Sequence, residues 1–177
     1  VPSNTDLTAA ELELIDMPQR DQKLRLKLTA MRDLFDFIII DCPPSLSLLT
    51  INALAAADGV LVPIQCEYYA LEGLTSLLQT IDKVKERANK ELEIEGLLRT
   101  MADPRNNLSN QVSSQLIQHF GDKVYSTSIP RNVRLAEAPS HGVPVMIYDR
   151  SSRGAVAYMA LASEVIRRDK ARSSAVA

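Results

Sequence analysis

The sequence predicts one doubly wound α/β domain, a mostly parallel sheet with helices on both faces, and three observations predict it. Short apolar runs such as Phe37–Ile40 and Val60–Ile64 stop abruptly at Asp, Pro or Gln. They are continuous rather than alternating, as in strands buried on both faces of a parallel sheet. Segments of helical period separate them, which implies βαβ units with right-handed crossovers.

The elements follow in order. Leu24, Leu28, Met31 and Phe35 are spaced as one face of a helix over residues 21–34. Phe37–Ile40 reads as a strand that Pro43 and Pro44 end, because neither can continue a ladder. Residues 47–57 read as a helix, and Val60–Ile64 as a strand in which Pro63 marks its end or an edge position. Leu71, Leu74, Leu78, Ile81 and Val84 outline a long helix; Ile94–Met101 is a strand with Gly96 as its weak spot. Val112, Leu116 and Phe120 mark another helix, Val124–Ile129 another strand, and Val145–Ile147 a last short strand. A helix over 152–168, capped by Ser151, closes the domain. Residues 1–170 are expected to form this single domain and 171–177 a flexible tail.

Composition narrows the class. The 177 residues are 46% hydrophobic and 24% charged, enough for a soluble globular domain with a substantial core. No apolar run approaches the roughly 20 residues of a membrane helix. Val1–Thr8 has neither the basic start nor the apolar stretch of a signal peptide. Cys42 and Cys66 form no CxxC, so a cytoplasmic location is expected, with both thiols buried. The chain begins at Val1 without a Met, which suggests a fragment or a shortened gene. Residues 1–98 carry 9 Lys+Arg against 16 Asp+Glu, whereas residues 99–177 carry 11 against 6. Solvated helix faces account for this, and so does a basic surface for a polyanion in the second half.

In doubly wound sheets ligands sit beyond the carboxyl ends of the strands, so Asp41–Ser45, Gln65–Tyr69, Met101–Asn107, Pro130–Arg134 and Asp149–Arg153 carry most weight. Asp41 after four apolar residues is similar to the second signature of P-loop nucleoside triphosphatases, whose carboxylate holds a Mg²⁺-bound water. The same position equally suits an Asp that caps a turn. The phosphate-wrapping loop itself is absent: the six glycines are scattered and no Gly-Lys pair exists. His119 and His141 lack zinc-site spacing, and Ser45 and Ser47 lack a hydrolase elbow. Arg105, Arg131, Arg134 and Arg153 stand in loops that share one edge if the sheet is parallel. There they could contact phosphates, or serve solubility and local ion pairs.

The strings FDFIIIDCPPSLSLLTINALAAAD, VLVPIQCEYYALEGLTSLLQTI, EIEGLLRTMADPRNNLSNQV and IPRNVRLAEAPSHGVPVMIYDRSSRGAVAY resemble the chromosomal ParA (Soj) partitioning ATPases, over nearly the whole chain. The resemblance implies a P-loop NTPase-like fold, ATP and Mg²⁺ as cofactors, and an ATP-bound homodimer. It also implies DNA binding without sequence preference, hydrolysis stimulated by a ParB-type centromere-binding protein, and a cytoplasmic, nucleoid-associated location without membrane contact. By position, Asp41 looks like the Mg²⁺-water residue, and Cys42, Pro43, Pro44 and Ser45 like the switch responding to the γ-phosphate. Pro130, Arg131 and Asn132 resemble the adenine-pocket wall, and Arg105 and Arg134 the DNA-contacting arginines. The family's P-loop, its catalytic residues and its first central strand precede the position of Val1. The chain is therefore expected to be the C-terminal two-thirds of such a protein and, alone, inactive as an ATPase. The alternatives are a non-catalytic DNA- or ParA-binding module and a fragment of a MinD-like cell-division regulator. Against the last, Arg167-Arg168-Asp169-Lys170 leads into Ser and Ala rather than an amphipathic membrane helix.

Overall fold

The computed structural model describes residues 6–43, 45 and 47–176. It divides into two compact units, residues 1–60 with 76–93 and residues 61–75 with 94–177.

The first unit holds helices α1 (Asp6–Leu14), α2 (Lys23–Thr29) and α3 (Leu48–Ala56), with a 3-10 turn at Arg32–Leu34. Helix α3 is apolar and buries Ala53, Leu54 and Ala55. Ser47 caps it by accepting the Leu49 N–H at 3.2 Å. Asn52, 3% exposed, is a polar residue inside this apolar helix, and it is fully used. Its amide donates to the carbonyls of Arg20 (2.7 Å) and Leu48 (2.9 Å), and its oxygen accepts the Leu24 N–H at 3.2 Å. A buried amide so satisfied ties the start of α2 to α3 instead of costing stability. Asn89 does the same at the end of α3, donating to the carbonyls of Leu54 and Ala57.

Two expectations fail in this unit. The helix over 21–34 is only α2 followed by the 3-10 turn. Phe37–Ile40 forms no strand: the segment is irregular, and Ile39 is 90% exposed. Strand propensity needs a ladder partner to be realised, and no described strand pairs with this run.

The second unit is built on a sheet ordered β1 (Gly59–Gln65), β2 (Glu93–Ala102), β3 (Val124–Pro130). Strand β1 lies at one side of this order, the kind of position in which a strand tolerates a proline such as Pro63. Helix α4 (Ala70–Arg87) connects β1 to β2, and α5 (Asn107–Phe120) connects β2 to β3. Strands β2 and β3 pair in parallel, as the crossover helix requires. After β3 come α6 (Val133–Glu137), α7 (Val145–Tyr148) and α8 (Arg153–Val176), and α8 packs on β3. Leu98, Tyr125, Ile129 and Leu161 form the core there, joined by Leu61, Leu135 and Val165.

Four details differ from expectation. Val145–Ile147 is the start of α7 rather than a strand, because a helical turn places Val145 against Ala138 and Ala155 and leaves Ile147 to solvent. Ser152, not Ser151, caps α8: its hydroxyl accepts the Ala155 N–H at 3.2 Å, while Ser151 turns to Asp149. Helix α8 continues to Val176, through most of the residues expected as a tail. Gly96 is no defect in β2. A Cβ there would lie 2.4 Å from the Tyr125 ring, so the glycine is what lets that fully buried ring lie against the strand.

The β2–β3 ladder is irregular, and charged side chains repair it. From Leu97↔Val124 to Arg99↔Ser128, β3 spends two more residues than β2. The bulged peptides are taken up by side chains: Arg99 donates to the carbonyls of Tyr125 (3.1 Å) and Ser126 (3.0 Å). Glu164 of α8 accepts the N–H groups of Ser126 (2.8 Å) and Thr127 (2.9 Å). Arg168 pairs with Glu164, donates to the carbonyls of Asp122 and Val124, and lies 4.2 Å over the Tyr125 ring. Beyond Arg99, β2 spends one extra residue before Ala102↔Pro130, and Met101 takes a positive φ of 52°.

Burial alone would raise the Glu164 carboxyl, but the bonds from Thr127, Ser126 and Arg168 outweigh it and hold it at about 2. The native carboxylate thus adds stability that is complete above the ordinary value near 4.5 and is lost as pH falls from there towards 2. The amount is about 3 kcal/mol. Glu164→Gln is expected to lose about that much and to flatten the pH dependence of denaturant unfolding between pH 5 and pH 3.

Candidate functional site

Ala102 and Pro130 are partners at the carboxyl ends of β2 and β3, and the Arg131 N–H donates to the Ala102 carbonyl at 3.2 Å. That register brings the loop 103–106 and the segment 131–134 to one edge. Asn106 caps α5 by accepting the N–H groups of Leu108 and Ser109. Asn132 caps α6 by accepting the Arg134 N–H at 2.9 Å. Each loop ends in a capping Asn, so the position of each arginine is fixed by a helix start.

Arg105 is 88% exposed, yet it is not free. Its Nε and Nη2 reach both oxygens of Asp103, at 3.0 and 2.9 Å. This two-point hydrogen bond from Arg105, with its own N–H and Arg131 adding to it, holds the Asp103 carboxyl at about 2. Arg134 lies between two carboxylates, with Nη1 2.8 Å from Glu137 and Nε 3.3 Å from Asp149. Glu137 also accepts the Tyr148 hydroxyl at 3.3 Å, and the Tyr148 ring stacks on His141 at 4.7 Å. Arg131 is exposed and makes no ion pair among the described residues.

The structure therefore gathers Arg105, Arg131, Asn132 and Arg134 with Pro130 at one edge. Arg153 opens α8. Local ion pairs are one expectation for these arginines, but the sequence does not single out their partners: Asp103, Glu137 and Asp149 stand within three residues of an arginine or follow α7, spacings too ordinary to signal pairing. Tyr68 and Tyr69, each 73% exposed and packed edge to face at 5.1 Å, follow β1 at its carboxyl end, within the strand-end segment Gln65–Tyr69.

Asp41, Cys42, Pro43 and Ser45 belong to the other unit, in the irregular segment, and all are exposed; Pro44 lies outside the described residues. Cys42 departs from the expected buried thiol because no strand carries it inward, whereas Cys66, at the end of β1, is buried and burial pushes its thiol up. Among the described residues no cluster of His, Cys, Asp or Glu could hold a metal ion. With no Gly-Lys-Ser/Thr in the sequence, these residues by themselves do not fit a magnesium nucleotide: Asp41 supplies one carboxylate, and nothing wraps the phosphates. No helix among the described residues is long and apolar enough to cross a membrane.

A parallel sheet with crossover helices and loops gathered at its carboxyl edge is the architecture of nucleotide-binding α/β proteins. Residues 1–94 match the family described as an AAA domain. The chain is 54% identical over 165 residues to the sporulation initiation inhibitor protein Soj of Bacillus subtilis, covering 93% of this chain and 65% of that protein. It is 50% identical over 179 residues to the chromosome partitioning protein ParA of Caulobacter vibrioides, covering 100% of this chain and 67% of the relative. Among solved structures, cobyrinic acid a,c-diamide synthase from Mycobacterium smegmatis superposes with a TM-score of 0.79 at 36% identity, over 96% of this chain and 62% of that one. The Pyrococcus furiosus cell division ATPase MinD, at 24% identity and TM-score 0.67 over 83% of this chain and 58% of its own, shares the fold. These matches define a P-loop NTPase fold. The chain belongs to the ParA/Soj family of ATPases, and it spans about 65% of the length of relatives such as Soj.

The pairing at the edge can be read directly. The Asp103 carboxyl is expected to titrate near 2 by NMR, and in Arg105→Ala to return towards its ordinary value of 3.8.

Proposed function

We propose that this chain is the larger part of a ParA-type partitioning ATPase, and that the edge carrying Arg105, Arg131 and Arg134 is its surface for DNA. The observation that carries this reading is the Ala102↔Pro130 register, which places the 103–106 and 131–134 segments side by side. Guanidinium groups presented together this way suit phosphate oxygens of a duplex without reading its bases. The names of the Caulobacter and Myxococcus relatives support the partitioning role.

In the whole protein the working state would be an ATP-bound homodimer on nucleoid DNA in the cytoplasm, with a ParB-type protein stimulating hydrolysis and release. The Mycobacterium smegmatis synthase has been solved with ADP and magnesium, which supports a nucleotide site in this fold. On this reading Pro130, Arg131 and Asn132 wall the adenine pocket, Asp41 holds a water of the magnesium ion, and Cys42–Ser45 respond to the γ-phosphate. The phosphate-wrapping loop would come from a segment outside this sequence, so no hydrolytic step is assigned to these residues alone.

Two measurements test the reading. Arg105→Ala and Arg134→Ala should each weaken binding to unrelated duplexes alike, and each should lower the salt slope by about one per lost phosphate contact. Unchanged slopes in both would remove these arginines from the DNA surface. Calorimetric titration of Mg-ATP into this chain is expected to show no saturable heat at millimolar nucleotide. Micromolar binding would mean that phosphates are held by other groups here.

A further inference from the structure

We infer that Glu137 and Asp149 form a lock on Arg134, two carboxylates that compete with phosphate for the guanidinium and so set how readily this edge takes a polyanion. The inference rests on the reading of this edge as the DNA surface and concerns its regulation.

Arg134 has its Nη1 on Glu137 at 2.8 Å and its Nε on Asp149 at 3.3 Å. The two carboxylates come from different places. Glu137 is three residues along on α6, while Asp149 follows α7. Each is held by bonds that do not involve Arg134. Glu137 accepts the Tyr148 hydroxyl, and Tyr148 is stacked on His141. Asp149 accepts the N–H and hydroxyl of Ser151 through Oδ1, leaving Oδ2 for the arginine. The guanidinium thus faces two acceptors placed independently of it, each making the charge-assisted bond a phosphate oxygen would otherwise make.

Pairing at the edge points the same way. Arg105 is paired with Asp103, and Arg134 with both Glu137 and Asp149. Arg134 must therefore leave two partners to reach a phosphate. The pairs are exposed and therefore weak: side-chain exposures of 49% and 41% for Arg134 and Glu137 leave them open to solvent and salt. A weak lock is one that a dense array of phosphates can open. Removing one carboxylate is then expected to tighten binding by the strength of one exposed pair, about two- to fivefold.

The experiment titrates a random-sequence DNA duplex into the protein, its Glu137→Gln and Asp149→Asn variants, the double variant, and Arg134→Ala alone and combined with each carboxylate change, followed by fluorescence anisotropy at low and moderate salt. Both single variants keep an acceptor for Tyr148 or Ser151, so the local fold is retained, and circular dichroism checks it. The lock predicts tighter binding for each single variant, tighter still for the double, and no gain from either carboxylate change when Arg134→Ala is also present. Binding that weakens in Arg134→Ala but does not move in Glu137→Gln or Asp149→Asn overturns the lock and leaves the DNA surface standing. A gain that persists without Arg134 also overturns it, because the carboxylates would then act only as general repulsion. Absence of binding by every variant overturns the DNA reading and the lock together.

Discussion

The buried carboxylate of Glu164 is the interaction on which the second unit depends. Strand β3 departs from its ladder with β2 around Tyr125–Thr127, and a departure of that kind leaves peptide groups without ladder partners beside the fully buried Tyr125 ring. Glu164 takes two N–H groups from the α8 side, Arg99 takes two carbonyls, and Arg168 binds the carbonyls just before the bulge while neutralising Glu164. A buried ion pair is seldom a net gain over apolar packing. Here its members serve as backbone partners first, and a hydrocarbon side chain at 164 could not replace that function.

The bulge has a geometric result at the far end of the strand. Two extra residues on β3, followed by one on β2 at Met101, bring Ala102 opposite Pro130. The positive φ of Met101, unfavourable for a side chain of that size, lies one residue before the strand ends. Strain and irregularity therefore sit on the path from the Glu164 cluster to the loop holding Asp103 and Arg105. Local backbone cost of this kind collects where a sheet must aim side chains rather than merely pack them.

Much of this architecture was legible in the sequence, and the failures share a cause. Val60–Ile64, Ile94–Met101 and Val124–Ile129 became strands because each run has a neighbour to bond with, and the long helices followed their apolar spacing. Phe37–Ile40 has the same composition but no described partner, and Phe37, Ile38 and Ile39 stay exposed. Val145–Ile147 was too short for period to decide, and burial of Val145 alone settled it as a helical turn. The arginines of the edge were legible because the parallel sheet brings strand-end loops together. Their carboxylate partners were not, because Glu137 reaches Arg134 through helical spacing and Asp149 only through the tertiary path of α7.

Those partners change what the edge is. Arginines counted along the chain give a basic second half, 11 Lys+Arg against 6 Asp+Glu over residues 99–177, which suggests a standing attraction for polyanions. Placed in three dimensions, three of those six acids, Asp103, Glu137 and Asp149, are paired with Arg105 and Arg134 at this edge. The attraction those two arginines offer depends on short-range exchange of carboxylate for phosphate. Exchange of that kind gains from simultaneous engagement of several arginines, because each exposed pair is weak and a second contact made from an already bound edge faces a high effective concentration of phosphate. A surface so paired holds a single anion poorly and an array of closely spaced phosphates better, and two copies presented together would hold it better again.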